Sequence, residues 1–216
     1  MPQSSGGSVA AGEGLRERKK RLTRAALAAN AQRLFRERGF DQVTVAEIAA
    51  SANVSVKTLF VYFASKEDLV FADEFVLLDL IRERLAMRPA GTSPAQAVRA
   101  LALELAAGTG LAEDGGDEGA GLTAFAALIG DHPALHARLL LMWERYEQAL
   151  AETLAGETGA SAVDARVRTA AALLVTPFRV LTSSDVRRAT ADRGVTTWIE
   201  DCFDTVEHGL GPLDES

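Results

Sequence analysis

The sequence predicts an all-α chain of two unequal parts, a small N-terminal three-helix unit and a larger C-terminal helical one. Three observations carry this reading. Alanine and leucine dominate a composition that is 48% hydrophobic and 6% aromatic, and β-branched runs are short, which favours helix over strand. Apolar residues recur at three- and four-residue spacing along most of the chain, with no convincing alternating segment. Charge is split: residues 1–66 hold eleven Lys/Arg against five Asp/Glu, and residues 67–216 hold twelve against twenty-five. The net charge of −7 therefore conceals a basic front on an acidic body, a distribution suited to an anionic partner at one end only.

The elements follow in order. Residues 1–14 are Gly/Ser/Ala-rich with almost no large apolar groups, and are expected to form a disordered tail. A helix begins at Leu15 with Arg16, Arg18, Lys19, Lys20, Arg21 and Arg24 crowded at its start. Leu27, Ala31, Leu34 and Phe35 place one apolar stripe along it, and Gly39 ends it as an expected αL residue. Thr44-Val45-Ala46-Glu47 reads as a capping box opening a short helix that turns inward Val45, Ile48 and Ala49. The chain turns at Ala52-Asn53-Val54, where Asn53 tolerates αL. Ser55 caps a second short helix running to about Phe63. Ser65-Lys66-Glu67-Asp68 opens one long helix bounded by Pro89.

Beyond it the pattern stays helical. Ser93-Pro94 is an N-cap followed by proline at the first helical position, leading to a helix through about Ala107. The Gly- and acid-rich stretch from Gly108 to Gly121 is expected to be an exposed, mobile loop. Helices follow over Leu122–Gly130 and from Asp131-His132-Pro133 to about Ala155. Another, capped by Ser161, carries Val167, Ala170, Ala171, Leu174, Val175 and Phe178, with Pro177 expected to kink it. The last holds Val195, Trp198, Ile199, Cys202, Phe203 and Val206 in a 3-4 stripe.

Several function classes find no support. No uninterrupted apolar stretch reaches the ~18 residues of a membrane span, and the N-terminus lacks the apolar core of a secretory signal, so a cytoplasmic location is expected. Cys202 is the only cysteine, which leaves no disulfide framework or cysteine zinc site within one chain; it reads as a small buried hydrophobe. His132 and His136 have an i, i+4 spacing but no carboxylate-rich companions beyond Asp131, so no metal is expected. Neither a nucleophile–base arrangement nor a phosphate-cradling glycine loop stands out, and neither enzyme activity nor a cofactor is expected.

Two short helices joined by a tight turn and stacked on a third make a helix-turn-helix, whose second helix can enter a major groove about 12 Å wide. Ile48, Ala49, Val54, Leu59 and Phe63 supply its small core. Val56, Lys57, Thr58, Phe60 and Val61 are left facing outward. Such an apolar surface is a liability on a free helix and makes sense against thymine methyls and base edges.

The stretch TVAEIAASANVSVKTLFVYFASKEDL resembles the DNA-binding signature of the TetR family of bacterial regulators, over about Arg16 to Leu69. Two positions depart from the pattern, with Asn53 where glycine is usual and Phe60 where tyrosine is usual; the latter loses a phosphate-bonding hydroxyl but keeps the aromatic face. The resemblance implies phosphate contacts from Thr44, Tyr62 and Lys66, with Ser55 a weaker one. It implies base contacts from Val56, Lys57, Thr58, Phe60 and Val61, joined by Val45. Lys57 has the reach for guanine O6/N7, and Thr58 and Val61 suit thymine methyls. The Arg16–Arg24 cluster would follow the backbone or the minor groove and add affinity more than specificity. Thr44 and Ser55 serve as caps in either case. Tyr62 has the alternative of a satisfied core tyrosine, and the basic run that of solvating a helix end.

The resemblance also implies domains at 15–65, for DNA, and 66–212, for ligand binding and dimerisation, the last two helices pairing with their copies as a four-helix interface. One short helix reads few base pairs, so a homodimer on a palindromic operator is the expected DNA partner. A ligand pocket would lie among the middle helices, with Phe71, Phe75, Phe125, Leu128, Met142, Trp143 and Tyr146 as candidate lining. No clustered charge is evident there, so a small apolar or aromatic effector is expected. The expected function is that of a sequence-specific repressor released by such an effector. The alternatives are a regulator that answers to a protein partner or senses nothing small, and a helical carrier or enzyme with a vestigial head.

Overall fold

The periodicity becomes ten α-helices among the described residues, and every regular element there is helical. The computed structural model describes residues 14–107, 122–130, 132–183, 186 and 194–209. The predicted tail and the Gly108–Gly121 loop lie outside them, except for Gly14. Two compact units divide between Ala72 and Asp73.

The first unit holds α1 (Leu15–Arg38), α2 (Val45–Ser51), α3 (Val56–Tyr62) and α4 (Lys66–Val70). No side chain before Leu27 is buried in α1. From Leu27 on, Leu27, Ala31, Leu34 and Phe35 meet Ile48 and Ala49 of α2 and Leu59 of α3 in one core. Each large apolar side chain removed from water there contributes about 1.5–3 kcal/mol. Val54, a predicted core residue, is only half-buried. Gly39 ends α1 at φ 81°, ψ 156°, a positive-φ conformation that needs glycine but is extended in ψ, not the αL expected. Asn53 takes φ 56°, the only positive φ outside glycine among the described residues, and brings the Val54 N–H onto the Ala49 carbonyl at 2.9 Å.

The single long helix expected from Ser65 does not form. It ends at Val70, and α5 (Glu74–Ala86) starts after a turn through Phe71 and Asp73. Leu69, Val70 and Phe71 are all buried, and three consecutive residues sweep about 200° of a helix, more than one apolar face covers. Burial decides against continuing the helix.

The second unit adds α6 (Pro94–Ala106), α7 (Leu122–Ile129), α8 (Pro133–Thr158), α9 (Ala165–Leu181) and α10 (Val195–His208). Ser93 caps α6, as the Ser-Pro start leads one to expect, and Gln96 adds a reciprocal capping box that the expectation did not include. Asp164, not Ser161, caps α9, its Oδ1 accepting from the Arg166 and Val167 amides. A carboxylate is the stronger partner for a positive helix end. Helix α9 runs unbroken through Pro177. Helix α8 packs on α9 and α5, and α10 packs on α6 and α9. Ion pairs Arg84–Glu104 at 2.5 Å and Arg99–Asp204 at 2.7 Å tie α5 to α6 and α6 to α10. No helix among the described residues is long and apolar enough to cross a membrane.

Candidate nucleic-acid interface

Helix α3 has seven residues, too few to be stable alone, and three attachments hold it. At its start the Ser55 Oγ accepts from the Thr58 amide at 3.1 Å. Along its inner side Leu59 is fully buried, and Phe63 follows it into the core. At its end the Arg24 Nη1 donates to the Tyr62 carbonyl at 2.7 Å, and the guanidinium stands 4.2 Å from the centre of the Phe63 ring. The third attachment departs from the expectation, in which Arg24 belongs to the basic run that follows DNA. A contact between residues 38 apart leaves no local pattern in the chain.

The outer face presents Val56, Lys57, Phe60 and Val61, which fall at i, i+1, i+4 and i+5 and are all exposed. Phe60 is 50% and Val61 72% exposed, values that nothing in the folding of this unit requires. Thr58 sits at the margin, half-buried. Its hydroxyl lies 2.8 Å from the Ser55 hydroxyl, so both polar groups are engaged at the cap and the Thr58 methyl is left as the group not so engaged. Tyr62 is half-buried.

A second patch forms at the start of α2. Thr44 is exposed and Val45 half-buried. Glu47 is held from three sides: the Thr44 amide donates to its Oε2 at 2.8 Å, the Thr44 hydroxyl donates to the same oxygen at 2.7 Å, and the Arg38 Nη2 donates to Oε1 at 2.7 Å. These bonds, the Thr44 amide foremost, lower the carboxyl to about 2. The Thr44 hydroxyl proton and amide are thus both committed to Glu47. Lys66 sets its ammonium 4.1 Å from the Phe40 ring and 5.9 Å from Phe35. Burial lowers its pKa, opposed by Asp41, Glu67 and Glu47. Lys66 therefore shares a neighbourhood with the α2 start and is packed there by cation–π contact.

The residues predicted to line a pocket divide. Met142, Trp143 and Tyr146 are buried on α8, whereas Phe125 and Leu128 of α7 are half-buried. Phe75 is 53% exposed and turns away from the interior of its unit, a correction to its place in the lining. Phe71 is buried in the first unit, not the second. Trp143 and Tyr146 meet edge-to-face with ring centres 5.3 Å apart. The Tyr146 hydroxyl donates to the Glu74 carbonyl, and burial raises its pKa. The Trp143 Nε1 is buried and has no hydrogen-bond partner among the described residues.

Charge also gathers where the sequence suggested none. The Glu74 carboxylate lies 2.7 Å from Arg138 and 2.9 Å from Arg145. The three are separated by up to 71 residues, so only the packing of α5 on α8 assembles them. His136 sets its Nε2 2.8 Å from the Gly130 carbonyl. Cys202, expected to be buried, is half-buried, and burial is the main cause that pushes its thiol up to about 11.

On α9 most of the apolar stripe is core: Val167, Ala171, Leu174, Val175 and Phe178 are buried within the chain, and Ala170 is half-buried. On α10 the stripe splits. Ile199 and Phe203 are buried, while Val195, Trp198, Cys202 and Val206 form a half-buried shoulder beside them.

Comparison with known proteins places these features in context. Residues 27–72 match the bacterial regulatory proteins of the tetR family, and residues 92–211 match the MftR C-terminal domain. The chain is 35% identical over 151 residues to the HTH-type transcriptional regulator TcmR of Streptomyces glaucescens, covering 68% of this chain and 66% of the relative, just under two thirds of its length. In fold it is similar to Thermus thermophilus FadR, a TetR-family repressor solved with lauroyl-CoA (TM-score 0.55, 23% identity, 89% of this chain and 100% of that one). It is also similar in fold to a TetR regulator from Rhodococcus (TM-score 0.54, 20% identity, 89% and 99%).

Proposed function

Because the chain belongs to the TetR family of bacterial regulatory proteins, we propose that it is a dimeric, sequence-specific DNA-binding regulator that represses from a palindromic operator and is released by a small effector. The observation that carries this reading is the exposed face of α3. Val56, Lys57, Phe60 and Val61 stand outward on a helix whose opposite side is buried. Apolar groups for thymine methyls and one long cation for guanine suit direct readout in the major groove. Thr44 at the start of α2, the cap at Ser55, and Tyr62 and Lys66 are the groups assigned to phosphates, while Val45 joins the α3 face at a base edge. Positioning by phosphate and reading by base edge are then divided between different side chains.

The half-buried shoulder of α10 supports pairing of two copies through the last two helices, joined by Leu173, which α9 leaves 40% exposed. In the second unit, the buried Trp143 Nε1, without a hydrogen-bond partner among the described residues, supports an effector site on α8. An unsatisfied donor in an apolar interior costs about 1–3 kcal/mol, which an effector carrying an acceptor atom relieves. The effector class is accordingly a small apolar or aromatic molecule with at least one acceptor oxygen.

Selection of DNA from a random pool by the purified protein at near-physiological salt tests the reading. A palindrome with two half-sites about one helical turn apart is the expected product. A folded protein that enriches no sequence overturns it. Effector control is tested separately, by a small molecule that binds saturably and weakens affinity for the selected operator. Operator binding that no small molecule weakens would leave control to a protein partner.

A further inference from the structure

The basic residues at the start of α1 are not equivalent. Arg16, Arg18, Lys19, Lys20 and Arg21 lie on exposed turns ahead of the first buried residue, Leu27. Arg24 instead reaches the end of the recognition helix, where its Nη1 bonds the Tyr62 carbonyl at 2.7 Å and its plane covers Phe63 at 4.2 Å. We propose that Arg24 is a positioning residue for the recognition helix, and that it sets base specificity through α3 without itself supplying a phosphate contact.

Three features of α3 make such a residue necessary. It has no basic residue in its own last turn, so the partial negative charge at its C-terminus goes uncompensated from within. Its carbonyls past Leu59 have no helical partner, because the chain leaves the helix at Phe63 in extended conformation, φ −136° and ψ 124°. Only Leu59 of its seven residues is buried, so one side chain fixes little about the helix's rotation or tilt. A cation bonded to the last carbonyl answers the first two needs. Stacking on Phe63, itself buried, answers the third by tying α3 to α1 at a second point. Arginine suits both tasks at once, since its flat fork donates in plane while its face covers a ring. Tyr62, whose carbonyl takes the bond, is also the residue assigned to phosphate, so the contact fixes the backbone from which that side chain projects.

The inference rests on the operator-binding reading, and two measurements separate their failures. The first needs no DNA. In Arg24→Gln, amides of α3 that close the helix, such as Phe63 N–H on the Leu59 carbonyl, are expected to exchange about tenfold faster, with the α1 amides beyond Leu27 unchanged; the change corresponds to one charge-assisted hydrogen bond. The second uses the selected operator and unrelated DNA across a salt series, with Arg18→Gln as comparison. Arg24→Gln is expected to lower the ratio of specific to non-specific affinity about tenfold and keep the salt slope. Arg18→Gln is expected to lower the slope by about one and keep the ratio. Simple loss of folded protein lowers both affinities together and leaves the ratio alone. Should Arg24→Gln fail to fold, Arg24→Lys is read by the same two quantities: it retains the charge but not the planar fork, so the ratio should still fall. A slope reduced by one with the ratio intact would make Arg24 a phosphate contact and overturn the proposal, as would an unchanged ratio with unchanged exchange. A failed selection together with the expected exchange result would sink the operator reading and leave the positioning of α3 by Arg24 standing.

Discussion

Arg38 and Glu47 join the end of α1 to the start of α2, Nη2 to Oε1 at 2.7 Å, while the other oxygen of the same carboxylate takes the amide and hydroxyl of Thr44. One side chain thus completes a helix cap and fixes the helix it caps against its neighbour. The Arg38 Nη2 also bonds the Gln42 carbonyl at 3.0 Å, which holds the connecting loop in the same arrangement.

Stability should therefore depend on acid in a specific way. The Glu47 carboxyl falls from 4.5 to about 2 in the folded state, so the unfolded chain binds its proton first as pH drops. The contribution is complete above 4.5 and is lost as pH falls toward about 2. In thermal unfolding, wild type should exceed Glu47→Gln by a constant margin near neutrality, and the margin should close over that acidic window. A margin that persisted unchanged into strong acid would contradict the cap as drawn.

Lys57 and Lys66 should separate by mechanism. Lys57 is exposed on the reading face, so Lys57→Ala should relax base preference and leave the unfolding free energy within about 0.5 kcal/mol of wild type. Lys66 packs on Phe40, so Lys66→Ala should cost about 0.5–1 kcal/mol of stability and weaken all DNA sequences alike. Thr58→Val, which keeps the methyl, should retain more base preference than Thr58→Ala, because the hydroxyl is turned to Ser55. Binding to a panel of single-base operator variants, with denaturation of each protein, checks all three.

The unpartnered Trp143 donor makes a prediction about ligand chemistry. Naphthyl methyl ketone and isopropenylnaphthalene have nearly the same shape, and only the ketone carries an acceptor. Calorimetry should find the ketone bound about tenfold more tightly by wild type, as one net hydrogen bond provides, and the two bound equally by Trp143→Phe. Equal binding of both by wild type would keep a pocket but remove the acceptor requirement. Binding of neither would count against an aromatic effector altogether.

The α10 shoulder predicts the assembly. Trp198→Arg places a charge in the half-buried stripe without touching Ile199 or Phe203, the buried positions. Sedimentation should show the dimer weakened by about tenfold or more, in line with loss of a large aromatic from an interface centre, with helicity retained. Operator affinity should fall with it. An unchanged sedimentation profile would move the interface elsewhere.

Local chemistry in the chain determined much of this protein by itself. Thr44 with Glu47, Ser93 with Gln96, and Asn53 at its positive φ satisfy backbone groups within five residues, so their patterns are readable without a fold. The same holds for the exposed face of α3, since alternation around a short helix separates Val56, Lys57, Phe60 and Val61 from Leu59. Tertiary structure decided what depends on partners distant in the chain. Arg24 reads as one more basic residue until Tyr62 and Phe63 arrive beside it. Glu74 gathers Arg138 and Arg145 only when α5 lies on α8. The break at Phe71 follows from burial of three successive residues, a demand that helix propensity, being local and worth tenths of a kcal/mol per residue, does not outweigh. On α10 every stripe position looked alike, and only packing against α6 and α9 divided Ile199 and Phe203 from Trp198 and Cys202.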